Sequence, residues 1–272
     1  LHYGWIKERY LLALDMDGTL LKSDKTISPN TSASLNEASN RGQSICLCTG
    51  RGLAELKDYE GELDFCDYGI LLSGCLIYDF KNDQPLEVHS FDTDVFTQMM
   101  DVVKKEDVML YLLDSSHSIA SQKDVENMPY YNMAIYQSMF ENRAFIVEDI
   151  YEYAEVHKDE ILKFCLYNPS VDAMNQLLKK LEVFPVSCAV VEETAIEVTP
   201  LGITKGAGLE FLSSYLNIPI ENTVMMGDSG NDIEAFQSAG KAIAMGNATE
   251  EIKKLATEIT LDNDHDGIKV IV

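Results

Sequence analysis

Positive charge is what this 272-residue sequence has least of: 21 Lys and Arg stand against 45 Asp and Glu, a formal net charge of −24 at pH 7. A chain this acidic repels nucleic acid and anionic membrane surfaces, so neither is expected as a partner. Long apolar runs are missing too, and none approaches the ~20 residues that a membrane-spanning helix needs. The opening LHYGWIKERY has no extended apolar stretch ahead of a cleavage site, so it is not expected to be a secretory signal. Cysteine is sparse, with six residues at positions 46, 48, 66, 75, 165 and 188 and no paired C-x-x-C modules. That argues against a disulfide scaffold and a structural zinc site. Cys46 and Cys48 share one strand face in SICLC and read as small core residues in a reducing compartment. A cytoplasmic location is the resulting expectation. Internal repeats and low-complexity segments are absent as well.

What is present is an ordinary globular composition, 46% apolar and 9% aromatic, in short apolar strands alternating with helical stretches. YLLAL predicts a first strand. ISPNTSASLNEASNRG predicts a helix with Ser28 as N-cap, Pro29 in the first turn and Gly42 past the end. SICLC, YGILLSG and the hairpin arm CLIYDF, turning at KNDQ, continue the series. Strand, helix, strand in this order points to a parallel sheet with helices on its faces. The fold class expected is therefore α/β, a Rossmann-like parallel-sheet core with helices on both faces, interrupted by an inserted α+β domain. The insertion runs from about Val88 to about Thr194, where TDVFTQMMDVVKK and SVDAMNQLLKKLE read as helices and VMLYLLD, ILKFCLY and VSCAVVE as strands. Residues 1–87 and 195–272 are expected to form the core, and 88–194 the insertion.

Four loops of the core follow strands or open helices: Asp15-Met16-Asp17, Thr49-Gly50-Arg51, the segment around Lys205, and Gly227-Asp228-Ser229-Gly230-Asn231-Asp232. Ligands of open parallel sheets bind beyond the carboxyl ends of the strands, so loops distant in sequence are expected to meet there. Asp15, Asp17, Asp228 and Asp232 are hard oxygen donors of the kind Mg²⁺ prefers, and carboxylates gathered together repel one another without a cation. Lys205 supplies a point charge for a phosphate, and Thr49 and Asn231 supply neutral donors. Gly18 and Gly50 allow backbone N–H groups to approach a phosphate closely. Each piece alone is a common turn or helix start; their joint order is what carries the reading.

DMDGTLL, TGR, TKGAGL and GDSGNDIEAF together resemble the four motifs of the haloacid dehalogenase-like phosphatases, specifically the Cof-type branch. MGNA at Met245–Ala248 and DHDGI near the end also look like that branch, and the insertion sits where its α+β (C2B-type) cap does. The resemblance implies a Mg²⁺-dependent phosphatase of small phosphorylated metabolites, with sugar phosphates the usual class. Asp15 would be the nucleophile that forms an aspartyl-phosphate and also ligates Mg²⁺. Asp17 would be the general acid and then base, with its backbone carbonyl on the metal. Asp228 would be the third metal ligand, supported by Asp232. Met16 (through its N–H), Thr49, Gly50, Lys205 and Asn231 would hold the phosphoryl oxygens. To act first as an acid, Asp17 is expected to have a raised pKa. Where the branch commonly has Asn-Gly-Ala, this chain has Ser73-Gly74-Cys75, which keeps a hydrogen-bonding side chain but alters how substrate or cap is held.

Specificity is expected to lie in the cap, with Tyr111, His117, Tyr130, Tyr131 and His157 as candidates. Two further readings stay open on the sequence: a phosphomutase or phosphotransferase on the same core, and a non-catalytic phosphate-ligand sensor. A dehalogenase is disfavoured, since that chemistry has no use for Asp17 or a metal site.

Overall fold

The computed structural model describes residues 8–268. The leading Leu1–Lys7, part of the stretch read for a secretory signal, lies outside them. The first strand, β1 (Leu11–Leu14), is buried on both faces, as its unbroken LLAL run requires in the middle of a parallel sheet. It lies between β2 (Ser44–Cys48) and β12 (Thr223–Gly227), parallel to both. Outward from β2 come β3 (Tyr68–Leu71), parallel, then β4 (Leu76–Asp79) and β5 (Gln84–Val88), which turn back antiparallel as the expected hairpin. Outward from β12 come β13 (Lys241–Ala244) and β14 (Glu258–Ile259), both parallel. Helices 29–40, 205–215, 233–238 and 250–255 connect and cover these strands. The first begins as expected: Ser28 accepts from the Thr31 N–H and Pro29 occupies the first turn. Past its end, Gly42 adopts a positive φ of 87°.

Six strands make the other sheet: β6 (Met109–Leu113), β7 (Ser118–Ser121), β8 (Phe145–Val147), β9 (Lys163–Tyr167), β10 (Val186–Val191) and β11 (Ala195–Pro200). Its order is β10-β11-β9-β6-β7-β8. Strand β11 corrects the expected boundary. Residues 195–200 do not return to the core; they pair antiparallel with both β10 and β9. The turn between β10 and β11 is Glu192-Glu193-Thr194, with Glu192 itself at a positive φ of 53°. It lacks the glycine or asparagine that would announce a hairpin in sequence. The chain leaves this sheet through Leu201–Ile203, and Thr204 then caps helix 205–215.

Side chains alternate across the second sheet, so its two faces do different work. Leu110, Leu112, Phe164, Leu166, Ile196 and Val198 pack outward under helices 93–103, 150–156 and 171–181, in a cluster of their own. Tyr111, Leu113 and Cys165 face the other way and join the hydrophobic cluster of the core sheet. The second sheet is thus a roof, insulated on its far side and packed on the core on its near side.

Leu14, almost completely buried where β1 meets the functional edge, tests the core directly. Leu14→Ala is expected to destabilise the core by about 3 kcal/mol, read as a lower urea midpoint.

Candidate active site

The carboxyl ends of β1, β2 and β12 lie side by side, and the ladder continues one step past β1 because the Asp15 N–H donates to the Met226 carbonyl. Asp15 is thereby fixed at the sheet edge, only 5% exposed. Asp15, Asp17, Thr49, Gly50, Asp228 and Asn231 all line one cavity of about 750 Å³. Below them Lys205, at the start of helix 205–215, has its ammonium fully buried. Its Nζ donates to Asp15 Oδ1 and Asp232 Oδ1 at 2.6 Å each, and to Asn231 Oδ1 at 3.2 Å. Asp232 Oδ2 accepts the N–H groups of Asp228 and Ser229, so it holds the loop that presents Asp228. Asn247 donates to the Gly18 carbonyl and the Thr249 N–H to the Asp228 carbonyl, which gives the MGNA stretch a bracing role. The DHDG stretch braces the other side: Asp264 accepts from Ser23, and Asp266 from Ser28 and Asn30.

Asp15, Asp228 and Asp232 offer oxygen atoms that all lie within 4.8 Å of one another. Three carboxylates against one ammonium leave uncompensated negative charge in a desolvated place. Burial, then the neighbouring Asp232 and Asp228, push the Asp15 carboxyl well above its usual range despite Lys205. Burial and Asp232 likewise push Asp228 up to about 6. For Lys205, burial opposes the charge, but Asp15 and Asp232 outweigh it and the ammonium stays protonated. Hard oxygen donors with a charge deficit of this kind fit a divalent cation. The Asp17 side chain is not part of the cluster.

Asp17 goes against expectation. Burial raises its carboxyl, but Arg51 outweighs burial through a two-pronged contact, Nε to Oδ2 at 2.7 Å and Nη2 to Oδ1 at 2.8 Å. Lys25 adds a further bond at 2.8 Å, and together these hold Asp17 at about 2 rather than above its ordinary value. In this arrangement Asp17 is a carboxylate. Neither partner announces this role in sequence: Arg51 closes the TGR motif, and Lys25 lies in the polar stretch KSDKT.

Thr49 is buried, and its hydroxyl accepts from the Arg51 N–H at 3.2 Å. Met16 is fully buried and is not among the residues that line the cavity; its carbonyl accepts from the Leu21 N–H at 2.8 Å. Of the five cap candidates, only Tyr111 lines the cavity, with its hydroxyl on Glu55 Oε1 at 3.0 Å. His117 pairs with Asp114, Tyr130 and Tyr131 donate to Asp107, and His157 stacks on Tyr153. Lys163, Tyr167 and Glu197 of the roof also line the cavity, as do Met133, Tyr136, Met139 and Phe140, and none of them stands out in the sequence as a cap candidate. A lysine opening the otherwise apolar strand KFCLY was the available signal, since alternation puts Lys163, Cys165 and Tyr167 on one face, opposite Phe164 and Leu166.

Gly18 lets the first loop close against the fourth. Its φ is +80°, and a Cβ there would lie 2.4 Å from Asp228 Oδ2. Gly18→Ala is therefore expected to displace Asp228 and weaken divalent-cation binding by roughly 10-fold or more, measured by calorimetry.

The sequence profile of the haloacid dehalogenase-like hydrolases matches residues 12–271. The 5-amino-6-(5-phospho-D-ribitylamino)uracil phosphatase YitU of Bacillus subtilis (strain 168) is 28% identical over 266 residues, covering 95% of this chain and 94% of the relative. The pyridoxal phosphate phosphatase YbhA of Escherichia coli (strain K12) is 24% identical over 268 residues, with 95% of each covered. Among solved structures, a haloacid dehalogenase-like hydrolase from B. subtilis shares the fold with a TM-score of 0.84 at 23% identity, over 95% of this chain and 96% of that one. A sugar phosphatase of subclass IIB in the same superfamily gives 0.79 at 21% identity, over 96% of each. Four motif loops gathered at one sheet edge, and a family match running over nearly the whole sequence, have one meaning: this chain belongs to the haloacid dehalogenase-like hydrolases.

Proposed function

We propose that the protein is a Mg²⁺-dependent phosphatase of small phosphorylated metabolites, working through a phosphorylated Asp15. The observation that carries this reading is the setting of Asp15: at the end of the central strand, facing the cavity, on the Lys205 ammonium and beside Asp228. Asp15 attacks phosphorus as the bond to the leaving oxygen breaks, and water later cleaves the acyl phosphate. Lys205 lowers the repulsion between the attacking carboxylate and the phosphoryl group, and Thr49, Gly50, Asn231 and the Met16 N–H hold its oxygens. Asp15, Asp228 and the Asp17 backbone carbonyl would hold Mg²⁺, which supplies further charge screening. Asp17, kept ionised by Arg51 and Lys25, is set up as the base that takes a proton from the hydrolytic water. Its acid role in the first step requires the incoming substrate to loosen those two contacts.

The reading of the substrate rests on the roof. Tyr111, Met133, Tyr136, Met139, Phe140 and Tyr167 line the cavity together with the carboxylates. Tyr111 and Phe140 pack at 4.5 Å between ring centroids, and Tyr167 lies 6.4 Å from Tyr111. A space of about 750 Å³ exceeds what a phosphate and a short polyol fill, and an aromatic wall suits a flat group. A phosphorylated sugar or polyol chain that also carries a planar ring therefore fits better than a bare sugar phosphate. YitU is named for a substrate of that kind, and YbhA for a phosphorylated planar ring without a polyol chain.

Hydrolysis of an aryl phosphate is the first check. It is expected to require Mg²⁺ and to be abolished in Asp15→Asn, whereas equal rates for wild type and variant refute the mechanism. Asp17→Asn is expected to lower kcat by roughly 10²–10⁴-fold in the same assay. In a substrate panel, ring-bearing phosphates such as pyridoxal 5′-phosphate are expected to show higher kcat/KM than glucose 6-phosphate. Tyr167→Ala is expected to narrow that gap by raising KM for the ring-bearing esters alone.

A further inference from the structure

The roof sends one charged pair down into the loops of the core. Lys163 opens β9, and Glu197 lies in β11 opposite Cys165, two residues further along the same face of β9. Both side chains are nearly excluded from solvent, at 2% and 10%. Lys163 Nζ donates to Glu197 Oε1 at 2.5 Å, to the Gly50 carbonyl at 2.9 Å and to Ser73 Oγ at 3.3 Å. Ser73 in turn donates to Glu197 Oε2 at 2.7 Å. A Cβ on Gly50 would stand 2.7 Å from Glu197 Oε1 and 3.0 Å from Lys163 Nζ, so the close approach depends on glycine there.

Stability does not account for the pair. Removing two charges from water costs several kcal/mol, and apolar side chains would fill the same space without that penalty. The contacts point to another use. The peptide joining Gly50 to Arg51 is held at both ends: its carbonyl by Lys163, and its N–H by the Thr49 hydroxyl. With its lone pair engaged by that N–H, the Thr49 oxygen has its own proton free to turn towards a ligand. Rotation of the peptide would swing both Thr49 and the start of Arg51, the residue that grips Asp17.

We propose that Lys163, kept in place by Glu197 and Ser73, is a positioning residue for the phosphate site: it locks the Gly50–Arg51 peptide and through it orients the Thr49 hydroxyl. The second domain therefore completes the phosphate site as well as covering it. Full affinity for the phosphoryl group exists only while the roof is docked. The inference rests on the reading of Thr49 and Gly50 as holders of phosphoryl oxygens.

The test uses the whole protein with an aryl phosphate and with tungstate, a phosphate-shaped oxyanion, as probes. Lys163→Met/Glu197→Gln removes both charges together and is expected to melt no lower than wild type. Its kcat/KM is expected to fall roughly 10–100-fold, the scale of a small misplacement at a reacting centre, with tungstate inhibition weakened by the same factor. The loss should be equal for esters of different leaving group, because it acts on the phosphate, and Lys163→Arg should recover part of it. A double-mutant cycle separates positioning from a general effect on the fold: in a Thr49→Val background, Lys163→Met/Glu197→Gln should cost less than about twofold more. A normally folded double variant with wild-type tungstate affinity and kcat/KM overturns the proposal, as does full additivity with Thr49→Val. Failure of the underlying reading looks different, since Thr49→Val alone would then leave kcat/KM and tungstate inhibition at their wild-type values.

Discussion

Lys205 Nζ, with no solvent contact, is shared by Asp15, Asp232 and Asn231, and the rest of the site is arranged around that ammonium. A lone buried cation is costly, so the two carboxylates must come to it, and each brings a separate part of the chain. Asp15 arrives as the continuation of the central strand. Asp232 arrives from the fourth loop and spends its other oxygen on the N–H groups that shape the turn bearing Asp228. One ammonium thus sets the distance between the first and fourth loops. The negative charge left over after that pairing is what the proposed divalent cation would offset.

Around this centre, charges are divided into two sets that do not mix. Asp15, Asp228 and Asp232 face one another, with Lys205 beneath them. Asp17 turns away to Arg51 and Lys25 and remains ionised. Two carboxylates separated by a single residue end up with opposite shifts, one held up by burial beside acids and the other held down by two cations. The difference in charge state between neighbouring acids follows from their environments, since chemically they are the same group.

Much of the site was legible in the sequence because the loops that carry it are local. Asp15 and Asp17 follow an apolar strand, Thr49 follows another, Asp228 and Asp232 sit in one glycine-rich turn, and strand ends of a parallel sheet converge by topology. The helix at 29–40 announced itself through Ser28, Pro29 and Gly42. The direction of the Asp17 shift was not legible, because its partners Lys25 and Arg51 lie 8 and 34 residues away and nothing in their spacing aims them at it. Nor was the return point of the insertion. Residues 195–200 pair antiparallel with β10 and β9, and a hairpin turn of two glutamates and a threonine gives no local sign of itself.

The roof shows where local reading stops. Aromatic and histidine residues were the natural candidates in the insertion, yet His117, Tyr130, Tyr131 and His157 satisfy their polar atoms or rings elsewhere. Strand register and the pleat decided instead that Tyr111, Lys163, Tyr167 and Glu197 face the cavity. Short contiguous segments were enough to place the candidate groups, namely which acids, which lysine and which small residues stand at the ends of strands, because those are local properties of the chain. Tertiary structure alone settles which charges pair, which face of the second sheet looks inward, and which of its residues reach the Thr49–Arg51 loop. Those depend on register between strands far apart in the chain, where a shift of one residue would turn every side chain to the other face.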